Sequence, residues 1–146
     1  MSTNRFERHR MSTNSILRFV QTVLRLLLGL PLVAFGLMDL FAPMQTPPGL
    51  PEAAKAFSAA LAATGYMMPM IGIVLTLGGV LLTINRFVPL ALLLLAPFWV
   101  NSLLFHVFLE HSGLVPAGIF AALELAVAWN YRGTFAAVLQ AKNLPG

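Results

Sequence analysis

Apolar positions in this chain fall into four long blocks separated by short polar breaks. The blocks run from about Phe19 to Phe41, Tyr66 to Asn85, Phe87 to Leu109 and Leu114 to Tyr131. Each approaches the ~20 residues that a spanning helix needs. They predict an all-α membrane protein, a four-transmembrane-helix bundle. Between the first two blocks, Pro43, Pro47, Pro48 and Gly49 break any helix. Pro51 then suits a first helical turn, and Glu52 and Lys55 sit at its start. Residues 51–64 are good helix formers and read as a short interfacial helix at the membrane surface, ended by Gly65. A tight turn at Arg86 joins the second and third blocks, and Glu110 to Gly113 joins the third and fourth. Pro89 opens the third block. Pro97 lies inside it, where a proline is predicted to kink the helix. The domain layout is therefore a polar tail over 1–15, one transmembrane domain over 16–139 and a closing tail over 140–146.

Composition agrees with this pattern. Of 146 residues, 58% are apolar and 10% charged, where soluble domains average about 25% charged. With a mean hydropathy of +0.82, too few polar side chains exist to cover the surface, so lipid is the expected outer solvent. Intrinsic disorder is excluded by the same numbers. The basic stretch before Leu26–Met38 resembles a signal peptide, but no small-residue cleavage pattern follows, so the segment reads as a retained span. Met-Ser-Thr-Asn occurs at Met1 and again at Met11, making Met11 a second candidate start.

The net charge of +4 would suggest nucleic acid in a soluble protein. Here the cations set topology instead, and no nucleic-acid partner is expected. Arg5, Arg8, Arg10, Arg18, Arg86, Arg132 and Lys142 fall on one side of a four-span arrangement, and Lys55 on the other. That asymmetry places both termini in the cytoplasm. The chain has no cysteine, which removes disulfides, Cys-type metal sites and intrinsic dithiol exchange.

Small and ionisable residues inside the blocks carry the remaining information. Gly29 and Gly36 in the first span, and Gly65, Gly72 and Gly79 in the second, recur every seven residues and mark one face of each helix. Arg25, Leu32 and Asp39 fall on or beside the first stripe, and Ala117, Ala121, Glu124 and Ala128 share a face of the fourth span. Arg25 and Glu124 lie at matched depth, roughly 10 Å in at 1.5 Å per residue, and suggest an ion pair. Its simplest role is helix register; binding a head group or relaying a proton is the functional alternative. Towards the other side, Asp39 is paired with His106, and Asn101, Glu110 and His111 lie near. A carboxylate there would hold the imidazole tautomer for proton transfer, although an interfacial histidine reaching water fits as well. This outer cluster offers more donors and acceptors than it can mutually satisfy, which a head group or quinone carbonyl could use. Met38, Met44, Met67, Met68 and Met70 gather on the same side, and thioethers with imidazole suit Cu(I). Methionine is also ordinary filler, so copper is the weaker reading and no metal site is assigned.

Several short motifs resemble the DoxX-like family of small membrane proteins. They are Arg25-Leu-Leu-Leu-Gly29, Phe35-Gly36, Ala63-Thr-Gly-Tyr66, Gly79-Val-Leu-Leu82 and Arg86-Phe-Val-Pro-Leu90, then Ala96-Pro97, Val100-Asn101, Phe105-His106, Leu123-Glu124-Leu125 and Ala128-Trp-Asn-Tyr-Arg132. The resemblance covers about Leu24 to Leu139. It implies a bacterial inner-membrane bundle, in a family where some members are named as subunits of thiosulfate:quinone oxidoreductase or of other oxidoreductase complexes. Members often carry a lysine and a glutamate where Gly72 and Leu75 stand here. The expectation is a membrane subunit for a redox protein partner at the quinone pool, with quinone as the candidate cofactor. A homo-oligomer is compatible with it, and stand-alone catalysis is not expected because no redox centre is encoded. The ligand-binding candidates are Asp39, Asn101, His106, Arg25 and Glu124. The rival readings are a small-solute transporter with Arg25 and Glu124 along its path, and a structural assembly factor.

Overall fold

In the computed structural model, residues 3–42 and 49–139 are described, with side chains from Ser15 onward except at Val138. The loop containing Pro43, Met44, Pro47 and Pro48, the side chains of Arg5, Arg8 and Arg10, and the closing tail with Lys142 lie outside the described residues. Six helices follow one another: α1 (Thr3–Phe41), α2 (Glu52–Ala63), α3 (Met67–Thr83), α4 (Val88–Phe108), α5 (Leu114–Trp129) and α6 (Arg132–Val138). No strand occurs among the described residues. The protein is all-helical, as its blocks require.

Two boundaries differ from the sequence reading. The first helix begins at Thr3 rather than near Phe19, so the stretch read as a polar tail is helical and runs into the first span, which starts at Ser15, without a break. After α5 the chain does not pass straight into a tail. It turns at Asn130 and Tyr131 and forms the short α6. Arg132 secures this turn by donating to the Trp129 carbonyl at 3.2 Å while its guanidinium lies 5.6 Å from the Trp129 ring centre.

Within α1, Ser15–Phe41 is long and apolar enough to cross a bilayer, and so is the 21-residue α4. The α2–α3 pair would make a third crossing, but its helices meet at 90°. The 16-residue α5 is apolar and shorter. The structure therefore contains two or three candidate spans by length alone. The right angle agrees with α2 lying across the direction of α3. Thr64 fixes the corner, its hydroxyl donating to the Leu61 carbonyl at 2.7 Å and accepting from the Met67 N–H at 3.1 Å. Gly65 takes φ +72°, a left-handed conformation that β-carbon-bearing residues avoid. Gly65 is therefore the corner and not part of the second glycine stripe.

The strongest association is between α1 and α3, and glycine makes it. A β-carbon on Gly29 would meet the Gly79 carbonyl at 2.9 Å, and one on Gly79 would meet the Gly29 carbonyl at 2.7 Å. Gly36 and Gly72 are related in the same way, at 2.7 and 2.8 Å from each other's carbonyl oxygens. Moving seven residues forward on α1 matches seven residues back on α3, so the helices run antiparallel with their backbones in contact. Small residues permit this approach, which gains dispersion energy where lipid removes the hydrophobic drive. From this pair the ring closes: α3 packs on α4, α4 on α5, and α5 back on α1. Leu28, Leu32, Leu75, Leu82, Leu95 and Val127 fill its centre. The outside is equally apolar, with Phe19, Leu30, Ile73, Leu93, Val100 and Leu125 all exposed. Such a surface belongs in lipid, and the protein is a membrane protein.

Candidate functional site

The buried ionisable groups occupy three separate places. Arg25 of α1 is 7% exposed and lies beside a polar cleft of about 680 Å³ at one end of the ring. Arg18, Gln21 and Thr22 contribute from the same helix. Asn85, from the α3–α4 turn, and Asn130 with Tyr131, from the α5–α6 break, complete the wall. The Arg25 Nη2 donates to Thr22 Oγ1 at 3.3 Å, and its buried Nη1 has no partner among the described residues.

Glu124 of α5 is 6% exposed and opens elsewhere. It lines a groove of about 260 Å³ between α4 and α5, whose walls include Leu92, Ala96, Trp99 and Ala121. No hydrogen bond or ion pair to its carboxyl occurs among the described residues. The expected Arg25–Glu124 ion pair is thus not formed. Matched depth placed the two residues at one level, but they face different recesses. Trp99 forms the groove's aromatic wall, stacked on Phe120 with centroids 5.4 Å apart and planes at 9°. Its indole Nε1 is buried without an acceptor among the described residues.

The third place is the α4–α5 turn. His106 Nδ1 lies 3.0 Å from Glu110 Oε2 and 3.0 Å from the Glu110 backbone oxygen. Both oxygens are acceptors, so Nδ1 carries the proton. The same carboxylate accepts from the backbone N–H of Ser112 at 2.7 Å and of Gly113 at 3.0 Å, just where α5 begins. Its hydrogen bonding to Ser112 foremost, then to Gly113 and His106, outweighs burial and lowers the Glu110 pKa from 4.5 to about 2. Gly113 has no room for a β-carbon because the His106 ring fills that space. The turn is a closed unit.

That geometry revises the outer cluster. The partner of His106 is Glu110, four residues on, rather than Asp39. Asp39 is half-buried, with its Cβ against Gly72 at the α1–α3 crossing. Asn101 is exposed and lines a recess of about 230 Å³ with Phe57 of α2 and Phe105. His111 is exposed on the turn. The surplus of donors and acceptors anticipated at this end is absent for His106 and Glu110, which satisfy one another. Among the described residues, no group of three or more His, Asp or Glu side chains gathers as metal ligands.

Two features of these sites escaped the sequence reading. Trp99 lies in the middle of α4, although tryptophan in spanning helices favours the interface, and that displacement was the available signal. Asn85 and Asn130 each sit at a helix end, and only their joint approach to Arg25 makes them informative.

The family model DoxX matches residues 20–108. The chain belongs to the DoxX family. No curated protein and no solved structure matches it. The DoxX match takes in most of the spanning part of α1 and all of α2, α3 and α4, and it ends at the last residue of α4. Arg25, Asp39, Asn101, His106 and Trp99 are therefore within the DoxX region, and Glu110 and Glu124 lie beyond it. Both partners of the glycine-mediated α1–α3 crossing are DoxX residues.

Proposed function

We propose that this DoxX-family chain is a four-span subunit of the bacterial inner membrane that serves a redox protein partner at the quinone pool. The observation that carries the reading is the unpaired Glu124 carboxyl in the apolar groove between α4 and α5. A quinone head group needs a flat apolar slot and one proton-exchanging group. The Trp99–Phe120 stack supplies an aromatic wall. A protonated Glu124 can donate to a quinone carbonyl, and its carboxylate can accept from a quinol hydroxyl. Exposed Leu93, Val100 and Leu125 line the open side, where an isoprenoid tail would meet lipid. Electrons come from the partner, since the chain encodes no redox centre of its own. The recesses of Arg25 and Glu124 are separate, which disfavours a transport path lined by both. Asp39, Asn101 and His106 become secondary candidates.

Length supports four spans when packing is included. At 1.5 Å per residue, α3 and α5 are about 25 Å long, and each is flanked in the ring by a longer helix. Arg18 and the ends of α3 and α5 meet at one cleft, which supports a common side for the basic loops. Under the positive-inside rule that side is cytoplasmic. A phosphatase reporter fused after Gly49 is expected to be active in the periplasm, and one fused after Gly146 inactive. Activity from the C-terminal fusion would refute the orientation.

Native mass spectrometry of the gently solubilised protein tests the ligand. Wild type is expected to carry a mass adduct corresponding to quinone, together with any bound partner chain. Glu124→Leu should lose the quinone and keep or raise its melting temperature, because no ion pair is broken and an unpaired carboxyl leaves the apolar groove. Quinone retained by Glu124→Leu would place the ligand elsewhere.

A further inference from the structure

The cleft beside Arg25 has a composition unlike the rest of the molecule. It combines two arginines, Arg18 and Arg25, with the side chains of Gln21, Asn85 and Tyr131, and among the described residues no carboxylate lines it. Arg25 is more than nine-tenths buried, yet among the described residues its guanidinium has one hydrogen bond, the 3.3 Å contact to Thr22, and an unpartnered Nη1. A buried cation left in this state is costly unless a counter-ion completes it. Glu124, the buried carboxylate of α5, faces the groove between α4 and α5 and does not neutralise it.

The polar groups nearby are already committed in a way that leaves room for an oxyanion. Thr22 donates its hydroxyl proton to the Arg18 carbonyl at 3.0 Å, and Asn130 uses its amide on the Ala126 carbonyl at 2.9 Å. Arg18, Gln21, Asn85 and Tyr131 retain donors around the opening. The cleft lies where the ends of α3 and α5 meet α1. Exposed Leu17 and Val20 continue its edge with surface suited to acyl chains.

We infer that this cleft is a phosphate-binding site anchored by Arg25, with Arg18 and Tyr131 on its rim. The planar guanidinium fork matches two oxygens of a phosphate group. A phosphodiester of an anionic phospholipid and a free phosphate share that chemistry. The inference does not rest on the Glu124 groove, and Glu124→Leu should leave it intact.

The experiment uses delipidated protein in neutral detergent and has two arms. In the first, native mass spectrometry follows retention of added phosphatidylglycerol against diacylglycerol, which has similar tails and no phosphate. In the second, melting temperature is followed with inorganic phosphate against chloride at equal ionic strength. Wild type is expected to retain phosphatidylglycerol selectively, and Arg25→Gln to weaken it about tenfold, as for one lost charge-assisted bidentate contact. Stabilisation by inorganic phosphate that vanishes in Arg25→Gln, without phosphatidylglycerol retention, supports the same site with a soluble phosphate as its occupant. Equal retention of diacylglycerol, or no difference between wild type and Arg25→Gln in either arm, overturns the inference. If Arg25→Gln does not fold, the rim variant Arg18→Gln/Tyr131→Phe is used instead. It should weaken phosphate-dependent binding several-fold, and unchanged binding overturns the inference.

Discussion

Replacing Gly36 with leucine is expected to destroy the helical ring, with a loss of about 3 kcal/mol or more of stability. A β-carbon at Gly36 would lie 2.6 Å from the Thr76 nitrogen and 2.7 Å from the Gly72 carbonyl oxygen, which are backbone atoms and cannot rotate aside. Only separation of α1 from α3 makes room, and the reciprocal Gly29–Gly79 contact separates with it. Even Gly36→Ala should lower the melting temperature measurably in detergent. Gly118→Ala is the control, since nothing lies within 4 Å of a β-carbon there and alanine is the better helix former. Its melting temperature should stay level or rise slightly. If Gly36→Leu melted like wild type, the backbone contact between α1 and α3 would be disproved.

Acid is expected to melt the α4–α5 turn, with Glu110 as the titrating group. Its pKa is lowered from 4.5 to about 2, principally by hydrogen bonding to Ser112. A depressed pKa means that the folded state favours the carboxylate. The stabilisation is complete above the unfolded value near 4.5 and is lost as pH falls towards about 2. The melting temperature in detergent should therefore decline between about pH 5 and pH 2. Glu110→Gln should melt lower at neutral pH and show a flatter profile over that window. Gly113→Ala should reproduce part of this loss by forcing the His106 ring off the carboxylate. A wild-type acid slope that persisted unchanged in Glu110→Gln would assign the titration to another group.

The sites proposed for quinone and for phosphate occupy separate places in this molecule. The Glu124 groove lies between α4 and α5, and the Arg25 cleft lies at the end of the ring. A substitution at one should leave ligand retention at the other intact. The DoxX match includes Arg25 and excludes Glu124, so the two sites also differ in their relation to the family region.

The sequence alone determined the apolar helical blocks and the glycine faces on which α1 and α3 meet, but neither the start of α1 nor the presence of α6. Spanning blocks are legible because transfer into lipid sums residue by residue along a segment. Gly65 ended α2 because a left-handed backbone is a local property, and the glycine heptads identified the contacting faces of α1 and α3 because seven residues return to nearly the same side of a helix. The partners of the ionisable groups were decided only by the tertiary structure. Counting residues from a helix end gives only an expected depth, which is why Arg25 and Glu124 were expected to meet and do not. Whether two groups at one depth meet depends on how each helix is rotated. Each residue turns the face by about 100°, and here the glycine crossing of α1 on α3 sets that rotation for the ring. His106 found Glu110 rather than Asp39 for the related reason that the chain reversal after α4 brings its own carboxylate back across the helix end, whereas Asp39 is held against Gly72 on another pair of helices.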